Sequence, residues 1–146
     1  VLYEKNADAK MFPASTTKIM TGLLGCEYEN LDEKITASPN VVNIMRGSSQ
    51  IYIEPGEVLT MRELLYALFL ESANDAAIAI AEHLGGSVEG FAELMNERAK
   101  SLGAVNTHFV NPNGLHDNNH YTTARDLSII AREGMKNPAF REFVKT

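Results

Sequence analysis

Residues 12–24, FPASTTKIMTGLL, set a serine and a lysine, Ser15 and Lys18, three positions apart between a proline and an apolar run. Ile19, Met20, Leu23 and Leu24 recur at helical spacing before Gly25 and the polar stretch EYEN weaken the pattern, which predicts a helix over about 15–28. Residues three apart on a helix share a face, so a hydroxyl and an amine come within hydrogen-bonding range. A serine at a helix N-terminus also has backbone N–H groups and the positive end of the dipole beside it. Nucleophile, base and oxyanion donor are the parts of an acyl-transfer site. Lysine accepts a proton near neutrality only when burial or charge lowers its pKa, and the apolar run beside Lys18 offers burial. The same letters also describe a plain helix start, with Ser15 as cap and Lys18 in water.

Working outward, Val1–Tyr3 is β-prone and reads as the tail of a strand entering the polar turn EKNADAK. Residues 35–56 mix a Pro turn, the loop RGSSQ and the alternating QIYIEPGE, which predict short strands or a loose hairpin. TMRE at 60–63 has the form of a capping box, Thr60 at the N-cap and Glu63 three residues on, opening a helix through LLYALFL. ESAND at 71–75 interrupts that run with side chains suited to caps and turns. AAIAIAEHL then resumes until Gly85-Gly86. Ser87 caps a helix whose Phe91, Leu94, Met95 and Ala99 share a face until Gly103. NTHFVNPNGLHDNNHYT, 106–122, is turn-rich and long for a connection in a compact domain, a hint of function. Thr123–Asp126 opens a last long helix to about Lys136, and Pro138 starts a short one. The expected class is mainly α with short β segments.

A chain of 146 residues, 45% of them apolar, is one domain able to bury a core. Its formal charge of -6 and lack of a Lys/Arg cluster argue against a nucleic-acid partner. Cys26, the single cysteine, cannot form an internal disulfide and reads as a small buried residue. His116 and His120 stand four apart in HDNNH, but in a loop and without the glutamate of a metalloprotease helix, so His83, His108, His116 and His120 are expected to be hydrogen-bonded loop residues and not metal ligands. Neither metal nor organic cofactor is implied. No stretch approaches the roughly 18 apolar residues of a membrane span.

The weighting of Ser15 and Lys18 changes at the break in the second apolar run. Ser72-Ala73-Asn74 leaves a hydroxyl and a carboxamide where a core would want leucines. S-x-x-K followed roughly fifty residues on by S-x-N is the paired signature of penicillin-binding proteins and class A β-lactamases, a match to a known pattern and not a deduction from spacing. The stretches VLYEKNADAKMFPASTTKIMTGLL, EPGEVLTMRELLYALFLESANDAAIAIAEHLGGS, FAELMNERAKSLGAVNTHFVNPNGLHDNNHYTTARDL and NPAFREFV resemble the D-alanyl-D-alanine carboxypeptidases, the low-molecular-mass penicillin-binding proteins.

That resemblance implies the helical part of a β-lactamase/transpeptidase-like α/β domain, with 1–146 as a partial D,D-peptidase catalytic domain whose flanking sheet strands are largely missing. It implies Ser15 as the acylated nucleophile, Lys18 as its proton acceptor, Ser72 as a relay to the leaving D-alanine and Asn74 as a holder of the substrate amide. The expected partners are a peptidoglycan stem peptide ending in D-Ala-D-Ala and β-lactams, and the expected location is outside the cytoplasmic membrane. The family's third motif, K-T-G on a strand, does not occur in these residues; VKT at 144–146 follows a short helix and is not taken for it. Both ends look cut from something longer. Without the sheet, Ile19, Met20 and Leu23 are expected to leave an apolar patch that favours self-association, and the 146 residues alone are expected to be inactive. A class A β-lactamase-like hydrolase would need a deacylating glutamate; AELMN at 92–96 carries one, but on an amphipathic helix. A non-catalytic module of the same fold is the remaining alternative.

Overall fold

The structure is a computed structural model that describes residues 2–44 and 47–146. A 3-10 turn, Ala14–Thr17, leads into α1 (Lys18–Cys26), followed by β1 (Lys34–Thr36), a second 3-10 turn (Pro39–Val42), β2 (Val58–Thr60), α2 (Met61–Glu71), α3 (Asn74–Gly85), α4 (Val88–Ser101), α5 (Ala124–Lys136) and α6 (Pro138–Lys145). The expected mainly α class is observed. β1 and β2 pair antiparallel, Lys34 opposite Thr60, and form the only sheet among the described residues.

Helix ends follow local chemistry. Thr60 and Glu63 close the capping box, the Glu63 N–H donating to Thr60 Oγ1 at 3.1 Å and the Thr60 N–H to Glu63 Oε2 at 3.2 Å. Ser87 and Thr123 cap α4 and α5 through the N–H groups of Gly90 and Asp126. Gly86 and Gly103 end α3 and α4 at φ 78° and 86°, conformations that cost glycine least.

α1 sits at the centre, with α2, α3, α4, α5 and α6 packed around it. A Cβ on Gly22 would lie 2.2 Å from the Phe69 ring, and one on Gly25 2.6 Å from Leu65 Cδ2, so the two glycines let α2 approach the α1 backbone. Met20 and Leu23 of α1 meet Leu64, Leu65 and Leu68 of α2, Ile80 of α3, Phe91 and Met95 of α4, Ile130 of α5 and Phe140 and Phe143 of α6 in one core.

Four expectations are corrected. The helix begins at Lys18, not 15, because the Ala14–Thr17 turn is 3-10. QIYIEPGE is not a strand: Tyr52 has φ 61°, and the N–H groups of Ile51 and Ile53 donate to the Asp75 carboxylate at 3.1 and 2.9 Å instead of to a ladder. Leu2 and Tyr3 are irregular and exposed, and Val1 lies outside the described residues. The apolar patch on α1 does not exist, since Met20 and Leu23 are each 1% exposed and Ile19 is half-buried, covered by the neighbouring helices. Leu94, unlike Phe91, Met95 and Ala99, turns partly outward. No helix among the described residues is long and apolar enough to cross a membrane.

Candidate active site

The turn that carries Ser15 is built by Pro13 and a strained residue. Pro13 starts the turn, Thr16 donates through both its N–H and its hydroxyl to the Pro13 carbonyl, and Ala14 holds φ 49°, uncommon for a residue with a Cβ. In 3-10 geometry residues i and i+3 eclipse, which puts Ser15 and Lys18 on one side. Ser15 is exposed and does not cap: neither the turn nor α1 has a side-chain N-cap. The plain helix-start reading of Ser15 is therefore not what the fold uses.

Lys18 is 6% exposed, and no carboxylate among the described residues pairs with it. Its ammonium donates to Ser72 Oγ at 3.0 Å, not to Ser15. Burial lowers its pKa from the ordinary lysine value, which moves the amine toward a proton acceptor. Ser72 reaches it because the α2–α3 break places this residue at φ 52°, in the left-handed region, as the C-cap of α2. Ala73 and Asp75 behind it are fully buried. The Asp75 carboxylate accepts from the N–H groups of Ile51, Ile53 and Ala76, and the Asn74 N–H donates to the Ser49 carbonyl at 2.8 Å, so the break is fastened to the 47–53 segment.

Ser15 and Asn74 line one cleft of about 180 Å³, together with Asn43, Ser48, Asn113 and Leu115. The structure joins the four residues singled out in the sequence as two pairs, Lys18 with Ser72 by a hydrogen bond and Ser15 with Asn74 as lining of one cleft that neither Lys18 nor Ser72 lines. Every described residue lining the cleft is uncharged. Glu93, the glutamate of AELMN, lies exposed on α4 and does not line it. Cys26 is buried, with its thiol pushed up to about 12 by burial, which disfavours the nucleophilic thiolate.

Sequence reasoning missed the residues that fasten the long 106–122 loop to this turn. Thr17 Oγ1 meets His120 Nε2 at 2.7 Å, Thr21 Oγ1 donates to the Pro112 carbonyl at 2.6 Å, and Met11 pairs with Thr122 through both backbone bonds, 2.9 and 3.0 Å. The length of the loop was the only signal for it. His116 packs edge-on against Phe12 while His120 is buried, so the two histidines of HDNNH face different neighbours.

The family model described as D-alanyl-D-alanine carboxypeptidase, peptidase family S11, matches residues 1–146. The chain is 42% identical over 151 residues to D-alanyl-D-alanine carboxypeptidase DacF of Bacillus subtilis (strain 168), covering 100% of this chain and 38% of DacF. The crystal structure of D-alanyl-D-alanine carboxypeptidase DacD from Francisella tularensis superposes with TM-score 0.92 at 37% identity, over 98% of this chain and 36% of that one. The crystal structure of the Streptomyces K15 DD-transpeptidase does so with TM-score 0.92 at 39% identity, over 99% of this chain and 59% of that one. The chain spans little more than a third of DacF's length. A match that runs from the first residue to the last, with the same helical arrangement in solved relatives, means that this chain belongs to the D-alanyl-D-alanine carboxypeptidase family, peptidase family S11.

Proposed function

We propose that the protein carrying these residues is a serine-type D-Ala-D-Ala carboxypeptidase of peptidoglycan metabolism that works through an acyl-serine intermediate and is acylated by β-lactams. The observation that carries the reading is the buried Lys18, without a carboxylate partner among the described residues, bonded to Ser72 and three residues after an exposed Ser15. In the forward step Ser15 Oγ attacks the carbonyl of the penultimate D-alanine while Lys18, as the neutral amine, takes the hydroxyl proton. The C–N bond then breaks, and Ser72, in contact with Lys18, passes a proton to the leaving D-alanine amine. Water hydrolyses the ester and returns Ser15 to its starting state. Asn74, on the cleft wall, holds the acyl-side amide.

Membership of a family of cell-wall enzymes supports a place of work outside the cytoplasmic membrane, where stem peptides end in D-Ala-D-Ala. The resemblance also expects a K-T-G strand to clamp the substrate carboxylate. None lies in these 146 residues, and Val144 and Lys145 of VKT are helical. The segment on its own is therefore expected to turn over poorly, since one lost oxyanion donor alone costs on the order of 10²–10³ in rate.

The experiment is release of D-alanine from a diacyl-D-Ala-D-Ala peptide by the full-length protein, with and without penicillin. Release that penicillin blocks and that Ser15→Ala abolishes is the expected result. Release that survives Ser15→Ala refutes the assignment.

A further inference from the structure

The 106–122 loop touches the nucleophile turn at points that no step of the reaction uses. Gly114 has φ 90°, and a Cβ built on it would stand 1.8 Å from the Ala14 carbonyl oxygen, so the loop backbone presses directly on the peptide before Ser15. Ala14 is the strained residue of the turn at φ 49°, and such strain persists only where surrounding structure over-determines it. On the other side of Ser15, Thr17 is fully buried against His120, itself 1% exposed.

The tautomer of His120 follows from its partners. The Val110 N–H donates to Nδ1 at 2.9 Å, so Nδ1 carries a lone pair and the ring proton of the neutral imidazole is on Nε2. Nε2–H then donates to Thr17 Oγ1 at 2.7 Å. Burial holds the pKa of His120 down to about 4, so this neutral form is the one present near neutrality. A protonated ring would have a second N–H facing the Val110 N–H.

We propose that the 106–122 loop fixes the reactive geometry of Ser15, with His120 as a positioning residue that acts in one tautomer through Thr17 while Gly114 braces Ala14. The inference rests on the acyl-serine reading above and adds to it the residues that hold the nucleophile in place. A displacement of about 1 Å at a reacting atom can cost 10²-fold in rate, so a positioning residue is visible in the chemical step.

The test uses the full-length enzyme and the kinetics of acylation by a fluorescent penicillin, separated into reversible affinity and limiting acylation rate. His120→Asn keeps an acceptor for Val110 but cannot reach Thr17; His120→Gln keeps the reach and the donor but loses the acceptor. In Thr17→Val and His120→Asn the limiting rate falls about 10²-fold with the reversible affinity unchanged. His120→Gln recovers most of that rate although its melting temperature drops as far as that of His120→Asn. Rates that simply follow melting temperature across the three variants overturn the inference, as does a wild-type rate in Thr17→Val or imidazole nitrogen shifts that put the proton on Nδ1. An unsubstituted enzyme that takes no penicillin overturns the functional reading, and this inference falls with it.

Discussion

Lys18 is the residue on which the proposed chemistry turns. Its amine is buried beside a hydroxyl, so the charged form is penalised and the neutral form, the one that can accept a proton, is favoured. Acylation should therefore speed up as pH rises through the lowered Lys18 pKa and slow below it, and Lys18→Ala should slow it by about 10²–10⁴ without removing the attachment point at Ser15. Stopped-flow labelling across pH measures both. His120 carries the second pH effect, on stability. Its pKa is about 4 in the fold against an ordinary 6.5, so between those values the unfolded chain binds more protons and stability falls as pH falls. The loss amounts to about 3 kcal/mol once pH is below the folded value, and none above the unfolded one. Melting curves from neutrality to acid check it, and His120→Gln should flatten that slope. Ser15, Lys18, Ser72 and Asn74 were singled out as candidates because each belongs to a short motif. His120 and Thr17 were not, because their meeting spans 103 positions of sequence that no local pattern encodes.

Among the elements, the side-chain-capped helix starts were read well, and the start of α1 and the 50–54 segment were not. Capping residues act on N–H groups two or three positions away, so Thr60, Ser87 and Thr123 announce their helices locally. The alternation in QIYIE has the period of a strand, but its N–H groups are claimed by Asp75, a residue over twenty positions downstream whose burial the sequence does not display. Gly25 weakened the helical pattern in the sequence, and in the fold it and Gly22 are the points where α2 comes close. Gly22→Val should force the Phe69 ring aside and cost about 1–3 kcal/mol, read as a lower melting temperature.

At the scale of the whole chain, five helices pack around α1 among the described residues. After Lys18 its sequence, IMTGLLGC, contains no charged residue, the mark of a helix buried all round, and Met20, Thr21, Gly22, Leu23, Gly25 and Cys26 are all buried. That mark was present in the sequence, while the expected apolar patch came from assuming a sheet partner for this face. The central position of α1 serves the candidate site: it keeps Lys18 buried while the turn before it leaves Ser15 open to the cleft. The most direct test of this account is to label the full-length protein with penicillin, digest it with trypsin and locate the adduct by tandem mass spectrometry. The adduct should lie in the peptide Met11–Lys18, MFPASTTK, on Ser15 and not on Thr16 or Thr17. An adduct on Ser72, or on any peptide outside 11–18, would contradict it.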